Sequence, residues 1–137
     1  MAGITMGCQR RGISTVEAAI ILPLLVLLTM GLIEYGWLFL SAQQTTNAAR
    51  QGARIGATAD ATSADVNSAV SVLMADAGMA EAGYSVVIDP VDITVAEPGS
   101  SVTVTVAVPA ENVRITGFPL PMPANLRASV SMAKEGP

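Results

Sequence analysis

Residues 18–40 read AAIILPLLVLLTMGLIEYGWLFL, and this run decides the fold. Its only ionisable side chains are Glu34 and Tyr35. As a helix the run is about 35 Å long at about 1.5 Å per residue, and about 30 Å is needed to cross the hydrocarbon core of a bilayer. It exceeds a secretory signal's apolar region of roughly 7–15 residues, and no small-residue cleavage site follows it. We therefore predict one membrane-spanning helix. A buried core helix would need the remaining residues, largely polar or strand-like, to wrap it.

The charges beside the run predict its orientation. Arg10 and Arg11 precede it, and the next basic residue is Arg50. Because basic residues stay on the cytoplasmic side, the N-terminus is expected in the cytoplasm and the rest of the chain outside it. Tyr35 and Trp37 lie at the far end of the run, where an aromatic belt holds the outer interface.

The composition disfavours several kinds of function. The chain has 137 residues, 51% of them hydrophobic, with a net charge of −4, no histidine and one cysteine, Cys8. A net acidic chain gives no support to nucleic-acid binding, and a chain without histidine has neither a metal site built on it nor a Ser–His–Asp arrangement. We predict a protein that is not an enzyme and takes no cofactor and no small-molecule substrate.

Two carboxylates flank the apolar run. Glu17 stands at its start, where the positive end of the helix dipole favours a carboxylate. Glu34 lies about 25 Å further along the helix axis, near the outer interface. One interpretation is that Glu34 extends to water at that interface. The other is that Glu17, Glu34 or both pair with a partner subunit within the membrane, since an unpaired charge there is unfavourable.

Small residues dominate the stretch after the span. Ser41–Gly56 reads SAQQTTNAARQGARIG, with small side chains recurring every three or four positions, so we expect the helix to continue unbroken to form a rod of about 40 residues. Small residues let another element approach closely. The residues expected on a helix docking face are Asn47, Arg50, Gly52 and Arg54. This face either is solvated or receives a partner protein or the chain's own domain.

The remaining residues predict a small α+β domain. Thr62 with Asp65, or Ser63 alone, provides a helix cap, and Asp65–Ala80 has the periodicity of an amphipathic helix. Beyond Gly83 the pattern alternates, and residues 97–100 and 109–123 have the composition of turns and loops. The predicted strands are Tyr84–Ile88, Val91–Val95, Ser101–Val108 and Leu126–Met132. We expect three or four antiparallel strands with one face packed on the amphipathic helix.

The N-terminal stretch resembles a known signal. The sequence Gly12–Ile13–Ser14–Thr15–Val16–Glu17 follows two arginines and precedes the apolar run, an order that is similar to a type IV prepilin-type signal. About the first 57 residues also resemble the TadE family of the tight-adherence (Tad) pilus system. The matching positions are Arg11–Gly12, Val16–Glu17, Leu22–Pro23, Glu34–Tyr35–Gly36, Gln44, Thr46–Arg50 and Gly52–Arg54.

This resemblance implies a minor pilin, or pseudopilin, with a structural or assembly role in an adhesion pilus or secretion system. A prepilin peptidase would cut after Gly12, which would make Ile13 the new N-terminus and Glu17 its fifth residue. The implied location is the inner membrane, crossed once. The implied partners are membrane lipid, the peptidase, the major pilin, other pseudopilins and the inner-membrane platform of the pilus system.

The expected organisation has three parts. Residues 1–12 form a basic leader, residues 13–57 form the transmembrane helix and its extension with the membrane part at about 17–40, and residues 58–137 form the extracytoplasmic domain. The alternative hypothesis is a signal-anchored binding or sensing domain unrelated to pili. That hypothesis predicts an unprocessed chain that tolerates Glu17→Ala.

Overall fold

The computed structural model describes residues 10–117 and 121–136, with side chains from Thr15 onward. Two α-helices and three strands follow one another along the chain, which confirms the expected α+β class. The helices are α1 (Arg10–Gly56) and α2 (Ser63–Asp76), and the strands are β1 (Ser85–Asp89), β2 (Ser101–Pro109) and β3 (Asn125–Ala133). Two short 3₁₀ turns lie at Ile93–Val95 and Ala110–Val113.

Helix α1 runs for 47 residues and includes Pro23. The C-terminal segment of the chain contacts the two residues that follow α1. The ammonium of Lys134 donates to the carbonyl of Thr58 at 2.8 Å, and the N–H of Glu135 donates to the carbonyl of Ala57 at 2.7 Å. These contacts hold the C-terminal segment against the point where α1 ends.

Helix α2 begins with the predicted cap. The hydroxyl of Thr62 accepts a hydrogen bond from the N–H of Asp65, and the carboxylate of Asp65 accepts one from the N–H of Thr62. This reciprocal pair is a capping box, which satisfies donors at the start of the helix. Val66, Val70 and Met74 are buried one turn apart on the inner face of α2.

The strands form one antiparallel sheet in the order β1-β2-β3. Val86 of β1 pairs with Val106 of β2, and Val104 of β2 pairs with Val130 of β3. On the other face of the sheet the hydroxyls of Thr105 and Ser129 are 2.8 Å apart. This alternation places one face in the core, which contains four fully buried side chains of β2: Val102, Val104, Val106 and Val108.

Both helices cover the same face of the sheet. Helix α1 contacts β2 and β3, while α2 contacts α1 and β1. The sequence predicted α2 as the cover, and the structure adds the second half of α1. This half can lie close to the strands because its buried positions are small, Ala49, Gly52 and Ala53 among them.

The domain has two ends along α1. Gly56 lies beside Val66 and Val102, and Gly52 lies beside Val70 and Val104. Helix α2 and strand β2 therefore both run back toward the N-terminal half of α1. We define the lower end as residues 77–84, 110–117 and 121–124, which follow these two elements. The upper end is formed by residues 57–62, 90–100 and 134–136.

One predicted strand is wrong. Val91–Val95 was expected to be extended, but Ile93–Val95 forms a 3₁₀ turn. The carboxylate of Asp92 accepts a hydrogen bond from the N–H of Thr94 at 3.0 Å, which favours a turn over a strand. Ile93 is fully buried, and it lies beside Gly56 of α1. The side chain of Ile93 is therefore part of the core although Ile93 lies in a turn and not in a strand.

Candidate functional site

The first half of α1 stands clear of the domain. Among the described residues, α1 is the one helix that is long and apolar enough to cross a membrane. Its most apolar stretch has a mean hydropathy of 2.4 and no part of it is buried. From Thr15 to Ile33 the side chains are exposed, apart from the half-covered Gly31. A helix with apolar side chains on all sides needs an apolar environment, so this half of α1 is a candidate membrane span.

The exposed run ends at a buried carboxylate. Glu34 is only 2% exposed, because the loop after β2 folds over it. The N–H of Thr116 donates a hydrogen bond to the Glu34 carboxylate at 2.9 Å, and the hydroxyl of Thr116 donates to the same oxygen. The other carboxylate oxygen is 3.8 Å from Nε of Arg114. A buried carboxylate needs such donors, so the lower end of the domain is held to α1 at this position.

Neighbouring residues of α1 strengthen this junction. The hydroxyl of Tyr35 donates a hydrogen bond to the carbonyl of Pro121 at 2.8 Å. Leu38, one turn beyond Glu34, is buried in the core. Trp37 lies beside Ile115 and the turn after α2 at a small cavity of the lower end. We name Glu34, Tyr35, Arg114, Thr116 and Pro121 the junction cluster.

The structure gives Glu34 partners that the sequence did not indicate, and pairing of Glu17 or Glu34 with a second subunit stays a prediction. The partners of Glu34 come from its own chain, whereas the sequence suggested either water or a second subunit. Glu17, the other residue expected to pair, is exposed on α1, about 25 Å away along the helix axis. The two carboxylates therefore lie in different surroundings, one within a built junction and the other on an open helix surface.

The predicted docking face is divided between two environments. Gly52 is buried, and a Cβ added there would lie 2.9 Å from a methyl of Val70 and 3.2 Å from a methyl of Val104. It is therefore the point where α2 and β2 both approach α1, which makes the chain's own domain the occupant of that side. Asn47, Arg50 and Arg54 are exposed.

An open groove runs between the two helices. Asn47, Arg50 and Gln51 line it from α1, together with Ile55, and the α2 side includes the apolar residues Val72 and Leu73. Asn47 and Arg50 at the groove are among the positions that carry the resemblance in this part of the sequence. Among the described residues no group of three or more His, Cys, Asp and Glu side chains is placed to hold a metal ion.

The comparison with protein families identifies the first part of the chain. A family model described as TadE-like protein matches residues 12–54. Residues 12–54 are a TadE-like segment. The match confirms the resemblance seen in the sequence over these residues. Neither a curated protein nor a solved structure matches the chain.

The TadE-like segment coincides with most of α1. It includes the exposed run, Glu34 and Tyr35 of the junction cluster, and Gly52, and it ends two residues before α1 does. Helix α2 and the sheet lie outside the match. The family match therefore describes the helix, while the structure describes the domain that packs on it.

The predicted processing site lies at the beginning of this segment. Helix α1 begins at Arg10, so the backbone of Gly12 and Ile13 is helical. Their side chains and the whole of residues 1–9, including Cys8, lie outside the described residues. Cleavage after Gly12 thus stays a prediction.

Sequence reasoning missed Arg114, Thr116 and Pro121. They lie in a loop that contains several prolines, where nothing in the sequence pattern pairs a threonine with a carboxylate 82 positions earlier. The one signal was Glu34 itself, because a carboxylate in an apolar run needs a partner.

Proposed function

We propose that this chain is a TadE-like pseudopilin of the Tad system, anchored in the inner membrane by α1, with a structural or assembly role and no enzymatic activity. The observation that supports this most is the match of residues 12–54 to the family, in a helix whose residues 18–33 are almost entirely apolar and exposed. As a helix the stretch from Ile13, the proposed new N-terminus, to Ile33 is about 30 Å long at about 1.5 Å per residue, which suits a hydrocarbon core of about 30 Å.

The arrangement supports a division of roles within the chain. The first half of α1 provides the anchor, and the junction cluster joins the domain to the anchor at a defined height. The N-terminus is cytoplasmic in this proposal, since Arg10 and Arg11 precede the run, and the domain is outside the cytoplasm. The partners are lipid, the prepilin peptidase and other pilus components, through surfaces that the domain leaves open.

The position of Glu17 supports an assembly role. Removal of residues 1–12 would take away Arg10 and Arg11 and leave an ammonium group at Ile13, four residues before Glu17. In an assembly the Glu17 carboxylate of one subunit can neutralise the ammonium of a neighbour, so that neither charge stays unpaired in an apolar environment. Glu17 is exposed on α1 and is therefore open to such a neighbour.

The test is the mature N-terminus of the protein. Intact-mass measurement and N-terminal sequencing of membrane fractions, from cells that contain a prepilin peptidase, are expected to give a protein that begins at Ile13. Gly12→Ala should block processing, whereas Glu17→Ala should permit it and impair assembly. Gly31→Ala is a matched control within the exposed run, where an added Cβ meets nothing within 4 Å, and it should be processed normally.

Two results would contradict the proposal. One is a protein that still begins at Met1 in peptidase-positive cells. The other is normal pilus assembly by both the Gly12→Ala and Glu17→Ala variants. Either would favour a signal-anchored binding or sensing domain, which needs neither processing nor Glu17.

A further inference from the structure

The lower end of the domain reaches α1 at the point where its exposed apolar run ends. Ile33 is the last residue of that run and Glu34 is buried by the loop after β2. Because the loop that buries Glu34 carries polar backbone groups that hydrocarbon does not satisfy, Glu34 lies at the outer boundary of the hydrocarbon core when the run is in lipid. This inference rests on the proposed membrane anchoring. It places the boundary several residues before Leu40, where the sequence predicted it.

The position of Glu34 relative to the membrane surface determines the position of the loop that is hydrogen-bonded to it. Thr116 donates two hydrogen bonds to Glu34, so Ile115 and Gly117 on either side of Thr116 lie at the same level along α1. Pro121 accepts a hydrogen bond from Tyr35 and lies at this level too. The loop is thus level with the headgroup layer, which begins where the hydrocarbon ends.

The side chains at this level suit an interface between hydrocarbon and water. Ile115 is 54% exposed. Tyr35 and Trp37 are each partly exposed beside it, and such amphipathic rings are enriched at the headgroup level of membranes. The charges of Glu34 and Arg114 face each other at 3.8 Å, so each is partly compensated by the other.

The two ends of the domain differ in character. Acidic side chains are exposed at the upper end, namely Asp60, Asp92, Glu97 and Glu135. At the lower end Glu81 and Glu111 are exposed, but the stretches 115–117 and 121–124 have no charged side chain. An exposed apolar side chain in an uncharged stretch, next to an apolar helix, fits lipid better than it fits water.

We propose that Ile115, Gly117 and Pro121, together with Tyr35 and Trp37, form a second lipid contact that rests in the headgroup layer. This membrane-facing surface holds the domain against the bilayer, so the protein is attached through the end of its domain as well as through α1. The hydrogen bonds of the junction cluster lie at the same level along α1 as this contact, which shields them from bulk water.

The test measures the surroundings of single labelled positions in the full chain. Cys8 is replaced by serine, and an environment-sensitive fluorophore is attached to Ile115→Cys or, as a second position on the same surface, Pro121→Cys. Val95→Cys is the matched control, since Val95 is an exposed apolar residue (75%) at the upper end. Leu28→Cys reports on the span itself. Each protein is reconstituted into phosphatidylcholine vesicles, and quenching by aqueous iodide is compared with quenching by lipids that carry a nitroxide either at the headgroup or on the acyl chain.

The expected result is a loss of iodide quenching at positions 115 and 121, with quenching by the headgroup nitroxide, while position 95 keeps its iodide quenching. If position 28 is quenched by nitroxide on the acyl chain but positions 115 and 121 behave like position 95, the second contact is overturned and the anchoring stands. If position 28 shows no quenching by any lipid nitroxide, the anchoring fails and this inference fails with it.

Discussion

Thr116 donates hydrogen bonds from both its N–H and its hydroxyl to the carboxylate of Glu34, a residue 82 positions earlier in the chain. This pair joins the last exposed turn of the apolar run to the loop between β2 and β3. It explains how a carboxylate is accommodated at the end of an apolar run, because donors from the domain replace the water that it loses on burial. The domain is consequently held at one height along α1.

Loss of the Thr116 hydroxyl should loosen the lower end of the domain. Thr116→Val keeps the shape of the side chain and removes one of two donors to a charged acceptor, so we expect amide exchange of residues 113–117 to rise by about tenfold. Hydrogen exchange in detergent micelles measures this. Thr29→Val is the control, since the hydroxyl of Thr29 donates to the carbonyl of Leu25 within the exposed run. Unchanged exchange in Thr116→Val would show that these hydrogen bonds do not hold the loop.

Adding one methyl group at Gly52 should destabilise the domain. The new Cβ would lie 2.9 Å from a methyl of Val70 and 3.2 Å from one of Val104. Overpacking of this kind costs about 1–3 kcal/mol, which exceeds the gain of about 1 kcal/mol from replacing glycine by alanine within a helix. Denaturant unfolding of Gly52→Ala should therefore show a lower free energy of unfolding.

Gly36→Ala is the matched control for this substitution. It lies in the same helix, and its added Cβ meets nothing within 4 Å. We expect it to leave the free energy of unfolding unchanged or to raise it by up to about 1 kcal/mol. Equal effects at the two glycines would contradict the close approach of α2 and β2 to α1.

Truncation of Met74 should show that α2 is an essential layer of the core. Met74 is fully buried on the inner face of α2. Met74→Ala is expected to lower the free energy of unfolding by about 2–5 kcal/mol, through lost burial and the cavity that remains. Val72→Ala, at an exposed position of the same helix, should change it by no more than about 0.5 kcal/mol. A small effect at Met74 would mean that α2 packs elsewhere.

The cap of α2 predicts a dependence of stability on pH. The hydroxyl of Thr62 donates to the carboxylate of Asp65 at 2.6 Å, and the N–H of Thr62 donates to it at 2.9 Å. These hydrogen bonds hold the pKa of Asp65 below its ordinary value. Because the pKa in the folded state is the lower one, the stabilisation is complete above the unfolded-state value of about 3.9 and is lost as the pH falls through the folded-state pKa.

Thermal unfolding from pH 7 to acid conditions measures this contribution. The difference in Tm between the wild type and Asp65→Asn should be greatest near neutral pH and should shrink as the pH falls below about 4. The hydroxyl and N–H of Thr94 lower the pKa of Asp92 in the same way. The Asp65→Asn variant should therefore keep part of the dependence of stability on pH. Thr62→Ala should cost about 1 kcal/mol at neutral pH. A difference that is constant over the whole range would contradict the capping role of Asp65.

Local patterns were enough to predict most of the secondary structure. The alternating valines of β2, the capping pair of α2 and the continuous rod of α1 depend on neighbours close in the chain, and the structure contains all three. The strand predicted at Val91–Val95 was wrong because the alternating apolar side chains there resemble those of a strand. An isoleucine can be buried either in a strand or in a turn. Whether Ile93 forms a turn depends on its packing against Gly56, which is distant in sequence.

The sequence by itself determined that α1 carries an exposed apolar run and that a small α+β domain follows it, because hydropathy and periodicity are local properties of the chain. Tertiary structure alone decided that Glu34 pairs with Thr116 and that Gly52 packs against Val70 and Val104. It also decided that α1 packs on the sheet together with α2. Each of these joins residues far apart in sequence. Their pairing depends on the direction in which α2 and β2 run back along α1, and no local pattern contains that direction.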